Sequence, residues 1–146
     1  MRARGERGSA LVEFTWLAIL LMVPLLYVVL TVFEVQRAAF GVSSAARSAG
    51  RAFTEAPTEA VAVEHAVAAT ELALEDQHLD VGRRSLDVRC SPDPVDCLRP
   101  GSVVTATVAY PVPLPLLPSV LGGQRPSIRV EAQHTVPYGT FREDRP

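Results

Sequence analysis

Residues 14–33 read FTWLAILLMVPLLYVVLTVF, twenty positions without a charged side chain. An α-helix rises about 1.5 Å per residue, so this run covers roughly 30 Å, the thickness of a bilayer's hydrocarbon core. A soluble protein burying a helix that is apolar on all sides needs a larger body around it than the roughly 110 residues that follow. The run therefore reads as a membrane span.

Its flanks separate it from a cleaved secretory signal. Arg2, Arg4 and Arg7 supply a basic start. A signal's apolar core, however, is only about 7 to 15 residues long and is followed by a small-residue cleavage site. Here the apolar run passes directly into Glu34-Val35-Gln36-Arg37, and the small residues Gly8, Ser9 and Ala10 precede it. Arg2, Arg4 and Arg7 are denser than Arg37, Arg47 and Arg51 on the far side. With a short N-terminal tail, this puts the N-terminus in the cytoplasm and the remainder outside. Cys90 and Cys97, with six residues between them, can close a small disulfide loop in an oxidising compartment. That loop offers too few ligands for zinc.

Composition narrows the function classes. The chain has 146 residues, with 14 basic side chains (all Arg), 16 acidic ones and a formal net charge of −2. There is no global positive field and no interleaving of basic and aromatic residues of the kind nucleic-acid binding needs. No G-x-S-x-G, phosphate-binding glycine loop or Cys-His spacing is present, and Gly122-Gly123 reads as a turn. Neither cofactor nor small-molecule substrate is expected, and the protein is read as no enzyme.

Glu13 stands immediately before the span. A carboxylate at the edge of hydrocarbon is costly and marks a function or a partner, unless it sits wet at headgroup level. The first reading requires a cation. Cleavage between Gly8 and Ser9 would create one, the α-amino group of Ser9, which a neighbouring subunit could present to Glu13 among helices packed in lipid.

The stretch Arg7-Gly8-Ser9-Ala10-Leu11-Val12-Glu13-Phe14, the apolar run with Pro24, Phe33-Glu34-Val35-Gln36-Arg37-Ala38 and the small-residue tail Ser44–Arg51 together resemble the TadE-like pseudopilins of tight-adherence pilus systems, in the type IV pilin group. The resemblance covers about 45 N-terminal residues. It implies cleavage after Gly8 by a prepilin peptidase, Ser9 as the mature N-terminus, and Glu13 and Phe14 as assembly positions. The partners it implies are membrane lipid, the peptidase, other pilins or pseudopilins and the pilus assembly platform. Two other readings remain on the residues alone: an uncleaved bitopic protein with an extracytoplasmic binding domain, and a secreted module whose signal is removed.

Beyond the span, Val35, Ala38, Ala39, Val42, Ala45, Ala46 and Ala49 keep helical spacing, with Gly50 as a stop. Their small size suits close approach of another helix, and they are also simply good helix formers. Pro24 is expected to kink the span. A second helix is predicted over Pro57–Leu79. On it His65, Glu71, Glu75 and His78 read as a solvated face instead of a metal site. Strand signals cover Ser85–Cys90, Ser102–Tyr110 and Ser127–Val136. The apolar, proline-rich Pro111–Leu121 cannot be a regular helix or central strand. It either folds over the sheet as core or forms a partner surface. The tail Pro137–Pro146 reads as frayed. The expected architecture is α+β: residues 1–8 a leader, 9–51 the span and its extension, 52–146 a small domain with a second helix and a three-stranded antiparallel sheet.

Overall fold

The computed structural model of the chain describes residues 7–114 and 126–145, with side chains from Leu11 onward. Most of the basic leader, residues 1–6, and positions 115–121 of the apolar proline-rich segment lie outside the described residues. The elements are α1 (Arg7–Glu55), α2 (Glu59–Glu75), a 3-10 turn (Val81–Arg83), β1 (Ser85–Ser91), β2 (Val103–Pro113) and β3 (Ser127–Pro137). The three strands form one antiparallel sheet in the order β1-β2-β3. The fold is α+β, as the periodicities predict.

The chain divides into two compact units, Met1–Glu34 and Val35–Pro146. In the first, every described large apolar side chain from Leu11 to Leu26 is exposed, Phe14 and Trp16 at 72% and 70%. This is one helix long and apolar enough to cross a membrane. Its two threonines satisfy themselves within it: the Thr15 and Thr31 hydroxyls donate to the carbonyls of Leu11 and Tyr27. A polar group in hydrocarbon requires such an internal partner. The helix runs through Pro24 without interruption.

In the second unit, α1 lays a stripe of mainly small residues against the sheet. Ala38, Val42, Ala45, Ala46, Ala49 and Phe53 are all buried. Ala39, predicted on the same face, is exposed. Gly50 does not stop the helix, which runs five residues further to Glu55. It is buried mid-helix, and a Cβ there would meet Val136 Cγ2 at 2.9 Å and Ala106 Cβ at 3.8 Å. The missing side chain is therefore used for helix-to-sheet approach, not for chain reversal.

α2 lies inside its predicted range. It starts after Pro57 and Thr58 and ends in a Schellman-type turn, in which Leu79 N–H donates to Leu74 O and His78 N–H to Glu75 O. His78 occupies the left-handed position at φ 55°, where glycine is the usual choice. Ala62, Ala66, Ala73 and Leu74 of α2 are buried. They belong to the same two core clusters as α1 and the inner face of β2, formed by Val104, Ala106, Val108, Tyr110 and Val112.

β2 extends three residues past its predicted end, through Pro111 and Pro113, although it is the central strand. The reason is that β1 stops at Ser85, opposite Ala109. Leu114 N–H donates to Pro126 O on the β3 side, so by the two-residue alternation the nitrogens of Pro111 and Pro113 face the side β1 has vacated. No ladder bond is lost there.

The tail is not frayed at its root. Tyr138 is 1% exposed, its hydroxyl donating to Glu143 O. Arg142 Nη1 donates to Thr54 O, and Arg145 Nη1 to Ala56 O at 3.0 Å. α1 has no basic residue in its last turn, and these two arginines bring cations from the far end of the chain to its orphan carbonyls, where the helix dipole favours positive charge.

Candidate functional site

Gly8 and Ser9 fall in the first turn of α1 as backbone. A peptide bond inside a helix has to unwind to enter a protease, and glycine at that point lowers helix stability by about 1 kcal/mol relative to alanine. Glu13 lies six residues into α1, and Phe14 follows it; both side chains are exposed. Removal of residues 1–8 would leave the α-amino group of Ser9 one helical turn before Glu13. That spacing places the two groups on one helix face, with the carboxylate near the positive end of the helix dipole. From Phe14 to Phe33 the sequence offers only apolar side chains, two threonines and Tyr27.

The predicted disulfide is present between Cys90 and Cys97. Cys90 sits near the end of β1, and Cys97 follows a turn in which Val95 N–H donates to Asp93 Oδ1. Glu59 in the first turn of α2 fixes this loop to the helix: its carboxylate accepts from Cys97 N–H and from Leu98 N–H at 3.2 Å. Leu98 is completely buried. The bridge closes a loop of about eight residues, for which the chain-entropy relation gives about 2 to 3 kcal/mol. Cys97→Ser is accordingly expected to lower the unfolding free energy of the full-length protein by about that amount, measured by urea denaturation under oxidising conditions. Adding a reductant should lower the wild type to the same midpoint.

Asp96, inside this loop, has its carboxyl pushed above the ordinary carboxylate range, first by loss of solvent and then by Asp144 and Glu59, with Arg99 opposing. The raised value means the folded state disfavours the ionised form. The stabilisation is present at pH below the ordinary carboxylate value and is lost as pH rises through the raised one. Asp96→Asn, neutral at every pH, should therefore have a higher Tm than wild type at pH 7. The difference should close on acidification, as read by thermal unfolding across a pH series.

The other chemistry-bearing residues have structural duties or stand apart. Glu71 is held by Arg84, and His78 ends α2. Among the described residues no group of three or more His, Cys, Asp or Glu is placed to hold a metal ion. Sequence reasoning missed the carbonyl-capping arginines Arg142 and Arg145, whose contacts span about 90 residues. Comparison with family models, curated proteins and solved structures finds no match.

Proposed function

We propose that this chain is a minor pilin or pseudopilin-like membrane protein. In this reading a prepilin peptidase cleaves it between Gly8 and Ser9, and it takes part in assembling a tight-adherence type IV pilus or a related secretion machine. The observation that carries the reading is the order of features on a single helix: a Gly-Ser junction in its first turn, Glu13 one turn later, then a charge-free run exposed on every side. An apolar helix surface of that extent needs lipid or other helices around it. A carboxylate at its threshold needs a cation or water. Subunits packed side by side supply the helices and, through the new Ser9 amino group, the cation.

The protein acts in this reading by recognition, without turnover. Its N-terminus lies in the cytoplasm before cleavage, and the disulfide-bearing domain lies outside, where oxidation is supported. The platform, the peptidase, fellow pilins and membrane lipid are its partners. The experiment is to block the cut. Gly8→Leu, expressed in the native host, is expected to leave the chain longer by residues 1–8 than the wild-type mature protein, with membrane insertion unchanged. A wild-type protein that itself retains residues 1–8, so that the two masses differ only by the substituted side chain, would remove the peptidase from the account and favour the uncleaved bitopic reading.

A further inference from the structure

Among the described residues of the second unit, the two most exposed large apolar side chains are Val95, at 79%, and Phe141, fully exposed. Both belong to one end of the sheet. β1 ends at Ser91, paired with Val103 of β2, and Val103 pairs on its other side with Pro137 of β3. The loop that carries Val95 follows Ser91, and the turn that carries Phe141 follows Pro137. The two therefore leave the sheet at the same level on opposite sides of β2, about 10 Å apart at the usual strand spacing. Both are held in place. The Cys90–Cys97 bridge and the Glu59 carboxylate fix the first, and in the second Tyr138 N–H donates to Ser102 O while Gly139 O accepts from Gly101 N–H.

The two side chains have surroundings of opposite charge. Val95 stands between Asp93 and Asp96, with Pro92 and Pro94 exposed beside it. Phe141 lines an open groove of about 590 Å3 together with Arg51, Glu55, Val136, Tyr138 and Arg142, a size that accommodates several side chains. The Arg142 guanidinium lies 5.2 Å from the centre of the Tyr138 ring and spends one N–H on Thr54 O. Among the described residues no ion pair engages Arg51, Arg142, Asp93 or Asp96. One chain thus offers two unpaired cations beside an apolar groove, and two unpaired carboxylates beside an exposed apolar side chain. Such surfaces are complementary in charge and in apolar character. Val95 does not line the groove of its own chain, so the match is made between copies.

We propose that the disulfide loop of one copy docks in this groove of a second copy, Val95 seating against Phe141 while Asp93 and Asp96 meet Arg51 and Arg142. The contact joins two different patches, so each pair still offers a free loop and a free groove, and the contact repeats from copy to copy. Copies related by a sideways step satisfy it with their strands running in the same direction, since both patches lie at the same end of the sheet. The loop is fixed before contact, so little freedom is lost in ordering it. The inference stands on the second unit alone and holds whether or not the chain is cut at Gly8.

The test is photo-crosslinking of the full-length protein in concentrated detergent solution, with benzoylphenylalanine at position 141, an aromatic replacement of a fully exposed ring. A probe at Leu72, exposed on α2, is the control. The expected result is a covalent dimer from position 141, in several-fold higher yield than from position 72, with the adduct mapped by mass spectrometry to residues 91–99 of the other copy. In the position-141 protein, Arg51→Glu and Val95→Arg should each lower that yield several-fold, and the two together should restore it. Both sites are exposed, so each variant is expected to melt with wild type by circular dichroism. Adducts that map elsewhere, equal yields from positions 72 and 141, single variants at the unsubstituted yield, or a double variant that stays at the yield of the singles would each overturn the contact.

Discussion

Glu13→Gln is expected to reduce incorporation of the protein into pili or the assembly complex by about tenfold or more while its amount in the membrane stays at the wild-type level. The substitution keeps the shape and removes only the charge. An ion pair between Glu13 and a neighbouring Ser9 amino group would form beside hydrocarbon, where Coulomb attraction is weakly screened and an unmatched partner is costly. Breaking one member of a desolvated pair costs about 3 to 5 kcal/mol, and every 1.4 kcal/mol is about tenfold in an equilibrium. The uncharged amide also inserts more readily, so a loss of membrane protein is not the expected route. Quantifying the protein in sheared pili against the membrane fraction separates the two. Wild-type incorporation would show that Glu13 is an ordinary headgroup-level carboxylate.

Gly50→Leu is expected to destabilise the second unit, Val35–Pro146, by about 3 kcal/mol or more, which for a body of this size lowers Tm by roughly 10 °C. Glycine in a helix interior ordinarily costs about 1 kcal/mol relative to alanine, so a free position would gain from the change. Here the first added carbon already falls 2.9 Å from Val136 Cγ2, and a leucine must push β3 away from α1. Gly50→Ala should fall between the two, the helix gain partly offsetting the contact. Circular dichroism melts of the full-length protein in detergent, with Ala39→Leu on the exposed face as a control, check the order. If Gly50→Leu melts with wild type, α1 does not pack on the sheet at this point.

Much of this fold is written locally. The charge-free run 14–33 announces a helix long and apolar enough to cross a membrane, because length and apolarity are read directly from the chain. The three strands announce themselves by alternation of residues such as Ile128, Val130, Ala132, His134 and Val136. What the sequence hid was decided at a distance. Gly50 reads as a stop until Val136, far along the chain, occupies the space its side chain would need. Pro111 and Pro113 seem to exclude a central strand until β1 is seen to end opposite Ala109, two residues before the first of them. Arg142 and Arg145 look like a polar tail because the carbonyls they cap belong to a helix that sequence reading ended too soon. His78 read as one of several polar side chains, since a left-handed turn residue that is not glycine or asparagine gives no local signal.

The candidate site was legible for the opposite reason. Gly8, Ser9, Glu13 and Phe14 lie within seven consecutive residues, and their meaning depends on order along one helix rather than on tertiary contacts. The structure adds to them a helical backbone and exposed side chains at Glu13 and Phe14.

The central claim is that the chain is cut before its span and keeps it. Intact mass and N-terminal sequencing of the membrane-bound protein from its native host test this directly. The account predicts a chain that begins at Ser9 and retains residues 14–33. A chain that begins at Met1 or Arg2, or one that begins beyond Phe33, would contradict it.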